Sequence, residues 1–253
     1  MDEWACDFPI GDYRFPYDPS VASELEGAVV VEFPLRGEMW VAVNTPGDRI
    51  PSHGVNMLGQ RYAYDLLKVD ERNGVHYHPA GSLRALALGV RTQECYAWWE
   101  AVHSPLDGEI VRAVDGARER GWIHPARELA LVLKNALIFR PSRLPLILGN
   151  HVIARCGDIF AGFAHLAPGS VAVTEGQTVA AGDVIGRVGH TGNSTAPHLH
   201  FQLMDSADLM TANGLPCAFR YYEVLRNGEW QKVEKGIPRR VDRIRYVETG
   251  PLG

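Results

Sequence analysis

The sequence predicts a mainly β fold, an antiparallel sheet carrying irregular insertions. Three features point to it. Short runs rich in Val, Ile and Thr recur and are cut by glycine, as at Gly176, Gly182, Gly186 and Gly189, where the missing side chain permits joining turns. Residues 197–203 alternate, so His198 and His200 face one side of a strand and Leu199 and Phe201 the other. Two apolar runs meet at Gly157-Asp158, a turn pair suited to a hairpin.

Taken in order, residues 1–27 are rich in proline and aromatics and read as an irregular arm. Residues 28–33 and 39–43 read as two strands of a hairpin, and 44–48 as a turn cluster leading to a loop with His53. A strand then runs over 65–69. Residues 70–100 form an insertion, with an Asn73-Gly74 turn and a helical piece over 82–99. Residues 108–116 alternate as a strand. A second insertion covers 117–145; its piece 128–139 is helix or strand, because a short apolar run fits both. Residues 146–156 and 159–166 return to the β core, and 171–189 give short strands in a turn-strand-turn style shared with 104–116. The loop 192–197 delivers the histidine strand. A last hairpin is expected over 219–224 and 229–233. One domain over 28–205, with 206–253 a β extension packed on it, accounts for this order.

Strand geometry brings the imidazoles of His198 and His200 into one small volume. His165, in Ala164-His165-Leu166 at the end of an earlier apolar run, can be carried alongside them by the glycine-rich segment between. A His-x-His pair alone is a weak signal, since a metal site needs a third ligand. Upstream, Ser52-His53-Gly54 and Tyr64-Asp65-Leu66 supply a histidine and a carboxylate. Two imidazoles and a carboxylate make a three-ligand zinc set, each donor about 2 Å from the metal, with a fourth position open for water. Competing readings are a turn role for His53 beside Pro51 and Gly54, and a capping or Arg61-paired role for Asp65. His76 and His78 form a second His-x-His, but Pro79 follows and no strand surrounds them, so they read as a surface loop. His103, His124, His151 and His190 read as structural or exposed, with His190 nearest the cleft.

These motifs resemble the lysostaphin-like (LytM-type) zinc metallopeptidases, which cleave peptide cross-links of bacterial cell walls. The resemblance lies in Ala164-His165-Leu166, the glycine and valine run from Gly176 to Gly189, Thr191-Gly192-Asn193-Ser194-Thr195 with Pro197-His198-Leu199-His200-Phe201, Ser104-Pro105-Leu106-Asp107-Gly108, and Gly149-Asn150-His151-Val152. It covers most of residues 101–205. It implies a barrel-sandwich hybrid built on a duplicated hybrid motif, one zinc held by His53, Asp65 and His200, catalytic roles for His165 and His198, and a peptide or peptidoglycan substrate. Members commonly carry His-x-x-x-Asp, whereas His53 and Asp65 are twelve residues apart. Gly59-Gln60-Arg61-Tyr62-Ala63-Tyr64-Asp65 resembles a subgroup with an extended loop here. The chemistry implied is a water of pKa lowered toward about 7. Histidines with a reference pKa of about 6.5 would activate it, bond the oxyanion or protonate the leaving amine.

Composition narrows the field. At 253 residues and 46% hydrophobic, the chain can bury a sizeable core, and a net charge of −5 argues against a nucleic-acid partner. Cys6, Cys95, Cys156 and Cys217 are scattered and read as buried thiols rather than as a disulfide or metal set. Residues 1–20 lack a basic n-region and an apolar core, so no secretory signal is expected, and no stretch approaches the roughly 20 apolar residues of a membrane span. The chain thus reads as cytoplasmic by sequence, against the extracytoplasmic place a wall hydrolase needs.

A different class of function is a noncatalytic relative that binds or regulates wall enzymes. Such relatives typically lack zinc ligands, which this chain keeps. A biotinyl or lipoyl carrier needs a lysine at the turn of 173–188, and the only lysines are Lys68, Lys134, Lys232 and Lys235. Phosphotransfer on paired histidines leaves Asp65 and His53 unexplained. The Trp98-Trp99 pair is a candidate wall contact.

Overall fold

The computed structural model describes residues 24–72, 74–80, 82–240 and 242–248. The arm expected over 1–27 lies outside them except for 24–27. In chain order the elements are β1 (Val29–Val31), β2 (Trp40–Asn44), β3 (Tyr64–Lys68), α1 (Ser82–Leu88), β4 (Val90–Arg91), β5 (Ala101–His103), β6 (Gly108–Val114) and β7 (Trp122–Ile123). Helices α2 (Pro125–Leu137) and α3 (Leu144–Leu148) follow. Then come β8 (Asn150–Cys156), β9 (Ile159–Leu166), β10 (Thr178–Val179), β11 (Val184–Arg187) and β12 (Leu199–Met204). The chain ends on β13 (Gly214–Leu215), β14 (Cys217–Arg226), β15 (Glu229–Gly236) and β16 (Ile244–Arg245).

Twelve of these strands make one open sheet in the order β1-β14-β16-β2-β3-β12-β9-β8-β6-β10, with β13 beside β12 and β15 beside β14. Its pairs are antiparallel except β1 with β14. The mainly β, antiparallel reading of the sequence is borne out. The two stretches of similar style lie against each other, since β6 pairs with β10 and β5 with β11.

Four local expectations change. Strands β1 and β2 are not a hairpin: β1 pairs with β14, and β2 with β3 and β16. Their connection buries Phe33 and Leu35 completely, which a solvent-facing hairpin turn does not do. The helix expected over 82–99 stops at Leu88. Gly89 follows at φ +73°, and a Cβ there would sit 2.4 Å from the Ile123 carbonyl oxygen. The ambiguous stretch 128–139 is helical as far as Leu137, and α2 starts earlier, with Pro125 at its first turn. The strand expected from 146 begins at Asn150, after the short α3. Cys95 and Cys217 are buried free thiols, whereas Cys156 is disulfide-bonded, and Cys6 lies outside the described residues.

Alternation along β12 decides the core. Leu199, Phe201 and Leu203 are fully buried on one face, and Phe201 meets the rings of Phe163, Phe219 and Tyr64 at centroid distances of 5.4, 6.0 and 6.5 Å. Aromatic packing of this kind holds the strand that carries the histidines on its other face. Phe201→Ala is expected to cost about 3–5 kcal/mol, read from the urea midpoint.

Candidate metal centre

Three neighbouring strands, β3, β12 and β9, bring the key residues to one face of the sheet. Asp65 on β3 lies directly opposite His200 on β12, and His200 opposite Ala164 on β9. The pairing of β8 with β9 slips between Asn150 and Val152, so that Ala164 and His165 together oppose one residue of β8. His165 sits at this bulge with φ +65°, a left-handed conformation uncommon outside glycine. The bulge re-aims its ring, which lies 4.9 Å from that of His198 and 5.9 Å from that of His200, centroid to centroid. Its Nδ1–H donates to the Thr191 carbonyl at 3.0 Å.

His53 arrives from a loop rather than a strand. The Ser52 amide donates to the Arg61 carbonyl at 2.9 Å and closes the neck of that loop. His53 Nε2 then stands 3.0 Å from Asp65 Oδ2, and His200 Nδ1 stands 2.9 Å from Asp65 Oδ1. The twelve-residue spacing is therefore compatible with convergence. Ligand atoms of His53, Asp65 and His200 lie within 4.8 Å of one another, the only such group among the described residues. Arg61 is bound to Glu24 at 2.5 Å, so it is not the partner of Asp65.

The donor chemistry of this trio fits a divalent cation. Gln202 spends its amide N–H on the Leu58 carbonyl at 2.8 Å, so its Oε1 accepts from His200 Nε2–H at 2.8 Å. His200 is left with the Nδ1 lone pair facing Asp65. Ser52 Oγ stands 3.0 Å from His53 Nδ1 and holds the ring with its Nε2 toward Asp65. Two imidazole nitrogens and a carboxylate thus converge, each imidazole held in orientation by a bond at its far nitrogen, as in metal-binding histidines. Asn44 Nδ2 donates to Asp65 Oδ2 at 2.6 Å and orients the carboxylate.

Electrostatics separate the remaining histidines. Burial alone would push the Asp65 carboxyl up, but the imidazoles of His53 and His198 outweigh it and hold the group well below the usual carboxylate range. Burial pushes His198 down, and Asp65 Oδ1 at 3.4 Å more than offsets that, so its pKa is raised. For His165, burial is joined by repulsion from His198 and His200, and its pKa lies well below the ordinary value. One imidazole favours the protonated form and its neighbour the neutral one. Both rings line, with His53, Asp65 and His200, a cleft of about 270 Å³ walled by Val132, Ile147 and Leu148.

The second insertion is wired into this site. Arg120 donates to the carbonyls of Gly192 and Ser194 at 3.0 and 2.8 Å, and to His190 Nε2 at 3.2 Å. It is held by the carboxylate of buried Glu128 on α2 at 2.9 Å. His190 Nδ1–H donates to Ser194 Oγ at 2.9 Å, and Ser194 Oγ lies 3.1 Å from His198 Nδ1, which donates to the Ala196 carbonyl at 2.7 Å. Asn135 of α2 bonds Asn193 at 2.8 Å. Loop 192–197 is thus clamped from one side by residues with no sequence motif. Gln202 did carry a signal, because it lies two residues beyond His200 on the same strand face.

Other histidines fall away from the centre. His190, expected nearest the cleft, is fully buried beneath the loop, and burial together with Arg120 pushes its pKa down to about 3. His103 and His151 bond the Gly182 and Gly149 carbonyls. His78, read as part of a surface loop, is buried against Glu94 and the Ala80 amide.

Residues 137–212 match the family model of peptidase family M23. This match takes in His165, His198 and His200 and leaves out His53 and Asp65, which reach the centre through β3 and its preceding loop. The resemblance read from the sequence is borne out. Among solved structures, the catalytic domain of the antimicrobial peptidase lysostaphin from Staphylococcus simulans is similar at 24% identity, over 56% of this chain and 86% of that one, with a TM-score of 0.31. A mutant catalytic domain of the prophage-encoded M23 protein EnpA from Enterococcus faecalis is similar at 16% identity, over 60% and 86%, with a TM-score of 0.33. A putative peptidase M23 from Pseudomonas aeruginosa is similar at 21% identity over 46% of this chain, with a TM-score of 0.29, and the match spans 37% of its own length. No curated protein matches the chain.

Two outcomes follow from the clamp. Arg120→Ala leaves the buried Glu128 carboxylate with Arg127 alone and removes three bonds to loop 190–196, and is expected to cost about 2–3 kcal/mol, with faster amide exchange across 190–196 by mass spectrometry. His190 is neutral in the fold down to about pH 3 but binds a proton near pH 6.5 when unfolded. Stability from this group is present above the unfolded value and is lost as pH falls toward 3, by up to about 1.4 kcal/mol per pH unit. His190→Asn is expected to flatten that part of the acid limb in urea titrations.

Proposed function

We propose that this chain is a zinc-dependent metalloendopeptidase hydrolysing peptide bonds of peptidoglycan stem or cross-bridge peptides. His53, Asp65 and His200 would hold one zinc, with His165 and His198 as the catalytic histidines. The observation that carries the reading is the convergence of two imidazoles, each bonded at its far nitrogen, on a buried carboxylate, with two further imidazoles beside it. Zinc there supplies a Lewis acid that polarises a peptide carbonyl and makes water acidic enough to attack it near neutral pH.

The rest of the work falls to the chain itself. His165 holds its Nδ1 proton on the Thr191 carbonyl, so Nε2 is the free acceptor, and its low pKa keeps it neutral and ready to take a proton from the attacking water. His198 holds Nδ1–H on the Ala196 carbonyl, so its Nε2 faces Asp65 and the cleft. It is the group suited to donate to the oxyanion or to the departing amine. Asn44 and Gln202 keep Asp65 and His200 in position. A peptide lies in the open cleft against Val132, Ile147 and Leu148.

The test is elemental analysis with peptide hydrolysis on the same preparations. One zinc per chain is expected, lost in His53→Ala, Asp65→Ala and His200→Ala. His165→Ala and His198→Ala are expected to keep zinc while kcat falls by about 10²–10⁴-fold. Full hydrolysis in His200→Ala, or no zinc uptake by the wild type, would overturn the reading.

A further inference from the structure

Helix α2 is inverted relative to an ordinary surface helix, which turns its apolar stripe to the core. Its inward side carries Glu128, 1% exposed, and Asn135, each bonded as described above. Its outward side carries Leu133 and Leu137, 55 and 86% exposed, whereas Leu129 turns toward the cleft beside Asp65 and His198. Spaced by four, Leu133 and Leu137 form one stripe along the helix. Leu146 of α3 and Leu83, Leu86 and Leu88 of α1 are exposed as well. The end of α1 adjoins the start of α2, because exposed Trp122 donates to the Leu88 carbonyl and Arg127 donates to the Trp122 carbonyl.

Charge follows the same boundary. Residues 82–91 and 122–148 hold six cations, Arg84, Arg91, Arg127, Lys134, Arg140 and Arg143, all exposed. Their one carboxylate is Glu128, which is buried and paired. The chain as a whole carries −5. Exposed leucines and cations are thus concentrated in these two segments of an otherwise acidic protein.

We propose that this face docks on an anionic phospholipid surface, with α2 lying in the plane of the interface. A leucine stripe flanked by Lys and Arg has the chemistry of interfacial helices, and each cation adds attraction to anionic headgroups. No helix among the described residues is long and apolar enough to cross a membrane, so contact is along the helix rather than through it. A second copy is the poorer occupant, because a twofold contact would set Lys134 and the arginines against their own copies. The proposal stands apart from the peptidase reading and needs no activity to test.

The experiment is flotation of the full chain with vesicles of phosphatidylcholine, alone or mixed with phosphatidylglycerol. Binding is expected to the mixed vesicles, weakening with salt. Leu133→Glu with Leu137→Glu should lower the partition coefficient about tenfold or more. Lys134→Glu and Arg140→Glu should each lower it about fivefold or more. All four positions are exposed or at the helix surface, and circular dichroism confirms that the variants fold. Absence of binding to the mixed vesicles, or binding unchanged in the leucine variant, overturns the proposal. Self-association lost in that variant without vesicle binding assigns the face to a second copy instead and overturns it too.

Discussion

Everything in the centre depends on the placement of one buried carboxylate. Asp65 sits in mid-sheet, directly across from His200, with His53 and His198 on its remaining sides. A buried charge of this kind is tolerated only where opposite charge or hydrogen-bond donors surround it. Asn44, the imidazoles and the register of β3 against β12 meet that requirement together. A slip of one residue in that register would send Asp65 to the core face and replace it with Tyr64 or Leu66.

Much of the site was legible in the sequence because it obeys a period. Alternation placed His198 and His200 opposite Leu199 and Phe201 without ambiguity, and turn residues marked the hairpin of β8 and β9. What was not legible has identifiable causes. The partnership of β1 with β14 rather than β2 is a long-range choice made by burying Phe33 and Leu35, and no local pattern encodes it. The approach of His165 depends on a bulge, which inserts one residue out of period. Arg120 and Glu128 act through backbone carbonyls, which accept from any chain and so leave no motif. His190 reads like its neighbours in the sequence, yet the loop closes over it.

The insertions are more than decoration on the sheet. Helix α2 uses its polar side to fasten loop 192–197, and that loop delivers His198 through Ser194 and the Ala196 carbonyl. An ordinary helix would spend its apolar side on that task. Here polar residues do that work, and Leu133 and Leu137 are left facing outward. The cleft wall at Val132 and the outer stripe at Leu133 are adjacent positions on one helix, so one short element forms part of both surfaces.

Asp65 and His200 are separated by 135 residues of chain. During synthesis β3 emerges long before β12, and the carboxylate waits without its partner strand until more than half the protein has followed. No nascent or truncated chain ending before His200 can assemble the trio. The order of translation therefore acts as a timer: the trio can assemble only once β12 has been made, and a fragment limited to residues 137–212 never acquires it.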